Sequence, residues 1–218
     1  MKITLNHYTP LLVCSNAIRT CWQSFDKSDD GGEKDQELID RVGNKFKHAS
    51  TLEHLVYNFY IKGISRALLQ ELARHRTARL TVKSTRYTLK ELKDEPHFLN
   101  GWCISDSLEE TDFNEDGYQR ASKYLVFTGD FRVDICSIGA LDNLRDLLNL
   151  GISNDKAKYA LPEAYATRLQ WQIDARNLQS FLQLRSSKDA LWEIRELALA
   201  IYNALPSDHQ YLFTSSLQ

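Results

Sequence analysis

The chain has 218 residues, 43% of them apolar and 11% aromatic, with a formal net charge of −2. That length and apolar content fill a real core and exclude a disordered chain. No apolar run approaches the ~18 residues needed to cross a bilayer, and Met1-Lys2-Ile3-Thr4-Leu5-Asn6 lacks a secretory apolar segment, so a cytoplasmic protein with no membrane partner is expected.

In chain order, Cys14 and Cys21 come first, with Cys103 and Cys136 far downstream. No Cys-x-x-Cys pair or Cys/His cluster links them, which argues against a disulfide framework or a zinc site and predicts four ordinary thiols. Trp22 and Phe25 read as a core pair, and residues 26–35, with Asp29-Asp30-Gly31-Gly32, read as a surface loop. Helical spacing of Leu38, Ile39, Val42 and Phe46 predicts a helix over 36–47, and the strand formers of 55–61 predict a strand. Ile64, Leu68 and Leu72 restore a helical period over 64–76, which puts Arg74, His75 and Arg76 at the carboxyl end of that helix.

The β-branched and aromatic residues of 80–88 predict an extended segment, with Val82, Ser84 and Arg86 on one face and Thr81, Lys83, Thr85 and Tyr87 on the other. A second loop is expected over 92–116, then a helix over 134–150. Tyr165, Thr167, Leu169, Trp171 and Ile173 alternate as in a strand, and helices follow over 176–186 and 188–204. Trp171 and Phe181 read as core. Helices and strands mix without a regular strand-helix repeat, so the expected fold is α+β, with helices on a mainly antiparallel sheet. No repeat or linker divides the chain, and a single domain over 1–218 is expected.

Charge is distributed unevenly. Residues 72–90 carry six Lys or Arg and one His with no Asp or Glu, in a chain that is acidic as a whole. Arg presents a permanent charge on a planar fork, suited to phosphates and carbonyl-bearing heterocycles, and several around one site repel one another until an anion relieves them. Glu71 lies three residues before Arg74, where it can hold that guanidinium or accept a hydrogen bond from a ligand. A plain solvated basic face is the bland alternative. Arg176 and Arg185 are half a helical turn out of phase and should address different ligands. His48 and His54 lack metal-ligand spacing, so no metal is expected; His54 reads as a satisfied structural histidine, and His48 stays open between structure and site. Ser84 has no Ser-His-acid arrangement around it and reads as a phosphate-binding hydroxyl rather than a nucleophile. A non-enzymatic nucleotide or nucleic-acid binding module using the basic segment 74–93 is the second functional reading, disfavoured by the overall acidity.

The combination is more specific than its charge. Arg74-His75-Arg76, seven residues, then Ser84 with Arg86-Tyr87 resembles the signature of the flavin-dependent thymidylate synthases. The likeness continues in His48-Ala49-Ser50-Thr51-Leu52-Glu53-His54 upstream, and in Leu161-Pro162, Asp174-Ala175-Arg176 and Phe181-Leu182-Gln183-Leu184-Arg185 downstream. The resemblance implies the thymidylate synthase-complementing protein fold and reductive methylation of dUMP to dTMP. Methylenetetrahydrofolate would be the carbon donor and FAD the hydride carrier, reduced by NADPH, in a homotetramer whose sites are assembled from more than one subunit. It further implies that Ser50, Glu53, Arg74, His75, Arg76, Val82, Asp174, Arg176 and Ser180 contact FAD. Glu71, Arg74, Val82, Lys83, Ser84, Thr85, Arg86, Lys158 and Arg185 would contact dUMP, with Arg185 as the catalytic residue that activates the pyrimidine. The chain departs from the usual family pattern at Thr81-Val82, Thr85, Lys158, Asp174 and Ser180. Val82 then offers only backbone or apolar contact, Lys158 keeps charge without the fork, and an Asp174 carboxylate beside a phosphate needs a cation such as Arg176. None of the four cysteines lies in the basic segment, and flavin-based methylation does not require one.

Overall fold

Alternation of buried and half-exposed residues builds the two central strands, β2 (Val56–Ser65) and β4 (Ala166–Asp174), so each presents one apolar face. The computed structural model describes residues 1–75, 77, 79–99 and 115–218. Two further strands, β1 (Lys2–Tyr8) and β3 (Arg79–Val82), complete a four-stranded antiparallel sheet in the order β1-β2-β4-β3. β1 runs antiparallel to β2, Lys2 opposite Lys62 and Tyr8 opposite Tyr57, with a bulge between Leu5 and His7. The helices are α1 (Leu11–Thr20), α2 (Glu33–Ile39), α3 (Arg66–Ala73), α4 (Thr85–Thr88), α5 (Glu115–Ala121), α6 (Phe131–Asn149), α7 (Asn154–Ala157), α8 (Ala175–Arg185) and α9 (Trp192–Ala204). The α+β fold is the one expected from the sequence.

The chain divides into two compact units, the first made of residues 1–62, 70–81 and 169–218, the second of 63–69 and 82–168. In the first unit Tyr57, Phe59 and Ile61 of β2 and Trp171 and Ile173 of β4 are buried together with Leu178, Phe181 and Leu182 of α8. Their rings form a continuous series: Tyr57 to Phe59 at 6.3 Å, Phe59 to Trp171 at 6.1 Å and Trp171 to Phe181 at 4.9 Å between centroids. The Trp171–Phe181 core pair stands as read. At the other end of the series Tyr57 OH meets Nδ1 of the buried His209 at 2.8 Å, and burial lowers the pKa of that histidine from its ordinary 6.5. In the second unit, Leu89, Leu92 and Phe98 pack with Ile135, Ile138, Leu141, Leu144 and Leu148 of α6. The predicted helix over 134–150 begins three residues earlier, because Asp130 accepts a hydrogen bond from Arg132 N as an N-cap.

Four expectations need correction. Trp22 is 85% exposed and Phe25 is also exposed, so they are not core. Residues 26–35 are not simply a surface loop: Asp35 is buried in the first turn of α2, and Arg19 of α1 reaches it with Nε at 3.1 Å and Nη2 at 2.6 Å. Burial would raise the Asp35 pKa, but donors from Ser28, Arg19 and Gly31 outweigh it and hold the pKa at about 2. The segment 80–88 is extended only to Ser84; Ser84 then serves as the residue before α4, and Thr88 Oγ1 donates back to the Ser84 carbonyl at 3.0 Å. Propensity favoured a strand, but a serine at a helix start turned the chain, so alternation does not place Ser84 and Arg86 on one face. His54 is exposed rather than a satisfied core histidine, and His48 is exposed as well.

The predicted helix over 36–47 is α2 followed by a π-helical turn, Asp40–Lys45. Cys14, Cys21 and Cys136 are free, and burial pushes the Cys14 thiol up to about 12, well away from a thiolate at neutral pH. Cys103, Arg76 and residues 100–114 of the predicted second loop lie outside the described residues. No helix among the described residues is long and apolar enough to cross a membrane.

Candidate functional site

α8 carries an arginine at each end. β4 leads straight into it, and Asp174, still extended, caps its first turn by accepting from Asn177 N at 2.9 Å and Asn177 Nδ2 at 2.6 Å. The Asp174 carboxylate is therefore already engaged with backbone and amide donors. Arg176, in the first turn, extends Nη1 to Glu53 Oε1 at 2.6 Å, and both side chains remain about half exposed. Ser180 follows Arg176 by four residues on the same exposed side of α8. Glu53 and the exposed Ser50 lie on a 3-10 turn, Ala49–His54, packed against α8.

The carboxyl end of α8 is built differently. Leu178, Phe181 and Leu182 are buried, so the helix end is fixed by its apolar face and Arg185 projects from an immobile backbone. Its guanidinium donates from Nε to His75 Nε2 at 3.1 Å, from Nη1 to Glu71 Oε2 at 2.9 Å and from Nη2 to the Glu71 carbonyl at 3.4 Å. Glu71 lies on α3, and the chain tightens after it, with His75 N donating to the Leu72 carbonyl at 3.1 Å. Arg74 is exposed beside the same carboxylate, 3.8 Å from Glu71 Oε1. Burial lowers the His75 pKa from 6.5, the Arg185 charge lowers it further, and Glu71 opposes both. Among the described residues this arginine retains two N–H bonds with no protein partner, since a guanidinium carries five.

The second unit holds a group of its own. Ser84 and Arg86 are exposed, Lys83 is half-buried, Thr85 is buried and Val82 is exposed at the end of β3. Lys83 Nζ lies 3.3 Å from Glu91 Oε2, and Arg86 Nε 2.6 Å from Asp155 Oδ1. Asn154 Nδ2 donates to the Arg86 carbonyl at 2.6 Å, so α7 braces α4, and Lys158 follows α7 directly on a 3-10 turn. Asp155 and Asn154 went unread in the sequence; their separation from Arg86 by some 70 positions gives no local signal. The burial of Thr85 turns its side chain inward and leaves its backbone N–H as what it can offer a ligand. Among the described residues no cluster of three His, Cys, Asp or Glu side chains is placed to hold a metal ion.

An α+β protein with one guanidinium fixed beside a neutral imidazole and others held by single carboxylates has the equipment of a nucleotide-binding enzyme. The thymidylate synthase complementing protein family matches residues 4–207. The flavin-dependent thymidylate synthase of Wolinella succinogenes is 62% identical over 213 residues, 98% of this chain and 97% of that protein. The Helicobacter pylori enzyme of the same name is 55% identical over the full length of both chains. A crystal structure of the Helicobacter pylori protein complexed with FAD and dUMP superposes with a TM-score of 0.91, covering 100% of each chain. The chain therefore belongs to the flavin-dependent thymidylate synthase family.

Proposed function

We propose that this protein converts dUMP to dTMP by reductive methylation, with methylenetetrahydrofolate as carbon donor, FAD as hydride carrier and NADPH as the reductant of the flavin. The observation that carries the reading is Arg185, held on three donors by His75 and Glu71 in a chain whose full-length relative binds FAD and dUMP. A uracil carbon is a poor nucleophile until negative charge builds on the ring. A guanidinium already fixed beside the pyrimidine stabilises that charge as it develops, without reorganising at the moment of reaction. FAD, when bound, supplies the hydride.

The residues present suit FAD. Ser50, Glu53, Arg176 and Ser180 offer a polar surface on which Arg176 stands in the first turn of an eleven-residue helix, a setting that favours a pyrophosphate. The Asp174 carboxylate, occupied as a cap, leaves Arg176 as the charge available there. Arg74 and His75 serve the flavin side too, with Arg76 and, through its backbone, Val82. On the dUMP side we assign Glu71, Arg74 and Arg185 to the pyrimidine end. Val82, Lys83, Ser84, Thr85, Arg86 and Lys158 are assigned to the nucleotide, with Ser84 and Arg86 on its phosphate. We further propose a homotetramer with sites drawn from more than one subunit, so the two groups need not come from one protomer. The family match spans residues 4–207 and thus both units, which supports their working as one domain.

The test is direct. Purified protein should show a flavin spectrum, scatter light as a tetramer and form dTMP from dUMP, methylenetetrahydrofolate and NADPH; flavin-containing protein that forms no dTMP overturns the reading. Mixing Arg76→Ala with Arg185→Ala should restore activity if the two positions fall on different chains of one site. An active monomer would remove the shared-site proposal. The nucleic-acid reading is not favoured, since Lys83 and Arg86 of the basic segment are already paired with Glu91 and Asp155.

A further inference from the structure

We propose that His75 is a positioning residue for Arg185, acting as a neutral hydrogen-bond acceptor whose protonation releases the guanidinium and so switches off pyrimidine activation at acid pH. The proposal rests on the assignment of Arg185 above. α8 grips the imidazole at two points four residues apart: the Phe181 ring meets it edge-on, with centroids 5.1 Å apart and planes at 71°, and Arg185 Nε donates to its Nε2 at 3.1 Å. Phe181 is itself held by Trp171, at 4.9 Å in the buried aromatic series, so the ring plane of His75 is fixed from the core outward. A guanidinium N–H can only donate. His75 Nε2 must therefore carry a lone pair, and the neutral ring must carry its proton on Nδ1.

The charged groups facing His75 are Arg185 from α8 and Glu71 from α3, with Arg74 next to it in the chain. Arg185 and burial oppose protonation more than Glu71 favours it, and the ring is neutral at pH 7. Once His75 takes a second proton, an N–H faces an N–H, and the Nε anchor of Arg185 is lost. Glu71 then holds the guanidinium through Nη1 and Nη2 alone, free to swing about that contact.

The experiment compares wild type with His75→Gln, which keeps an acceptor near the Nε2 position but cannot titrate, and His75→Leu, which removes the acceptor. Rates of dTMP formation are measured at saturating dUMP and expressed per bound flavin, because His75 also belongs to the proposed flavin side. We expect His75→Leu to lower the rate by about 10- to 100-fold, as misplacement of a catalytic group does, and His75→Gln to recover most of that loss. Wild type should lose rate as pH falls through a value below 6.5, and His75→Gln should lack that limb. The dUMP phosphate ionises at about 6, but its effect is common to both proteins and cancels in the comparison.

If neither variant retains flavin, the ring nitrogens decide the matter. Histidine-selective 15N spectra of the wild-type protein with FAD and dUMP bound, assigned by the signal missing in His75→Gln, should show Nδ1 protonated and Nε2 bare at pH 7.5. A proton on Nε2, an unchanged acid limb in His75→Gln, or a full rate per flavin in His75→Leu overturns the proposal. Full activity of Arg185→Ala is a different failure, since it would remove the assignment of Arg185 itself.

Discussion

Arg185 and Arg86 are both proposed to face the nucleotide, yet their surroundings differ in kind. Arg185 is 19% exposed, rises from a helix end locked by Phe181 and Leu182, and spends three donors on two partners. Arg86 is 57% exposed on a four-residue helix and meets one carboxylate, Asp155, itself 63% exposed. An exposed ion pair contributes only about 0–1 kcal/mol, so a phosphate can displace Asp155 at little cost. The difference separates two tasks: a charge that must not move while the ring reacts, and a charge that must exchange its partner each time substrate arrives and product leaves.

That contrast is open to test at both ends. The largest effect is expected for Arg185→Ala, which should lower dTMP formation about 100-fold or more while flavin content is retained, the loss typical of removing one preorganised donor. Arg185→Lys should recover only part of it, because the ammonium restores charge without the Nε and Nη pair that His75 and Glu71 hold. Near-normal dTMP production by Arg185→Ala, followed alongside NADPH oxidation, would mean that another group activates the ring.

Arg86→Ala should act on binding rather than on the chemical step. Loss of a hydrogen bond to a charged group, about 1.5–3 kcal/mol, predicts dUMP affinity weaker by about 10- to 100-fold with kcat retained at saturation. Titrating dUMP into the flavoprotein and following the flavin absorbance measures it, and an unaltered Kd would move the phosphate elsewhere. Ser84→Ala removes a neutral hydroxyl and should cost about 0.5–1.5 kcal/mol of the same affinity with turnover still measurable. Complete loss of dTMP formation in folded, flavin-bearing Ser84→Ala would revive Ser84 as a nucleophile. The smallest effect is expected for Asp155→Asn, which relieves the competition for Arg86 and should tighten dUMP by no more than about fivefold, less at high salt. Weaker binding in that variant would show that Asp155 orients Arg86 instead of competing for it.

What could be read from the sequence was what repeats locally. The alternation through Trp171 gave β4, the apolar period through Leu141 gave α6, and the order of charged motifs gave the family's contact set. The segment after Val82 misled because Thr85, Tyr87 and Thr88 favour strands individually, whereas Ser84 as a helix-start residue and the Asn154 brace decide the turn. Trp22 was taken as core on composition alone, although nothing in the neighbouring pattern buried it. Pairings across long separations left no trace at all: Asp35 is charged, and its burial is intelligible only with Arg19 sixteen positions away in place. The tie between His75 and Arg185 spans 110 positions and depends on how α8 meets the end of α3.

The π-helical turn at Asp40–Lys45 has an evolutionary reading. Such a turn is what an α-helix becomes when it accommodates one extra residue. Here it places Asn44 where its Oδ1 accepts from Gln179 Nε2 at 2.8 Å, and places Gly43 so close to the 3-10 turn that a Cβ there would stand 2.7 Å from Leu52 Cδ2. Deleting one residue between 40 and 45 would restore regular α-helical winding and rotate everything after it by about 100°. Asn44 would leave α8, and a side chain would take the position of Gly43 against Leu52. A lineage carrying this chain is thus free to vary the surface of that helix while its residue count is held fixed, because the segment that presents Ser50 and Glu53 is keyed to the insertion.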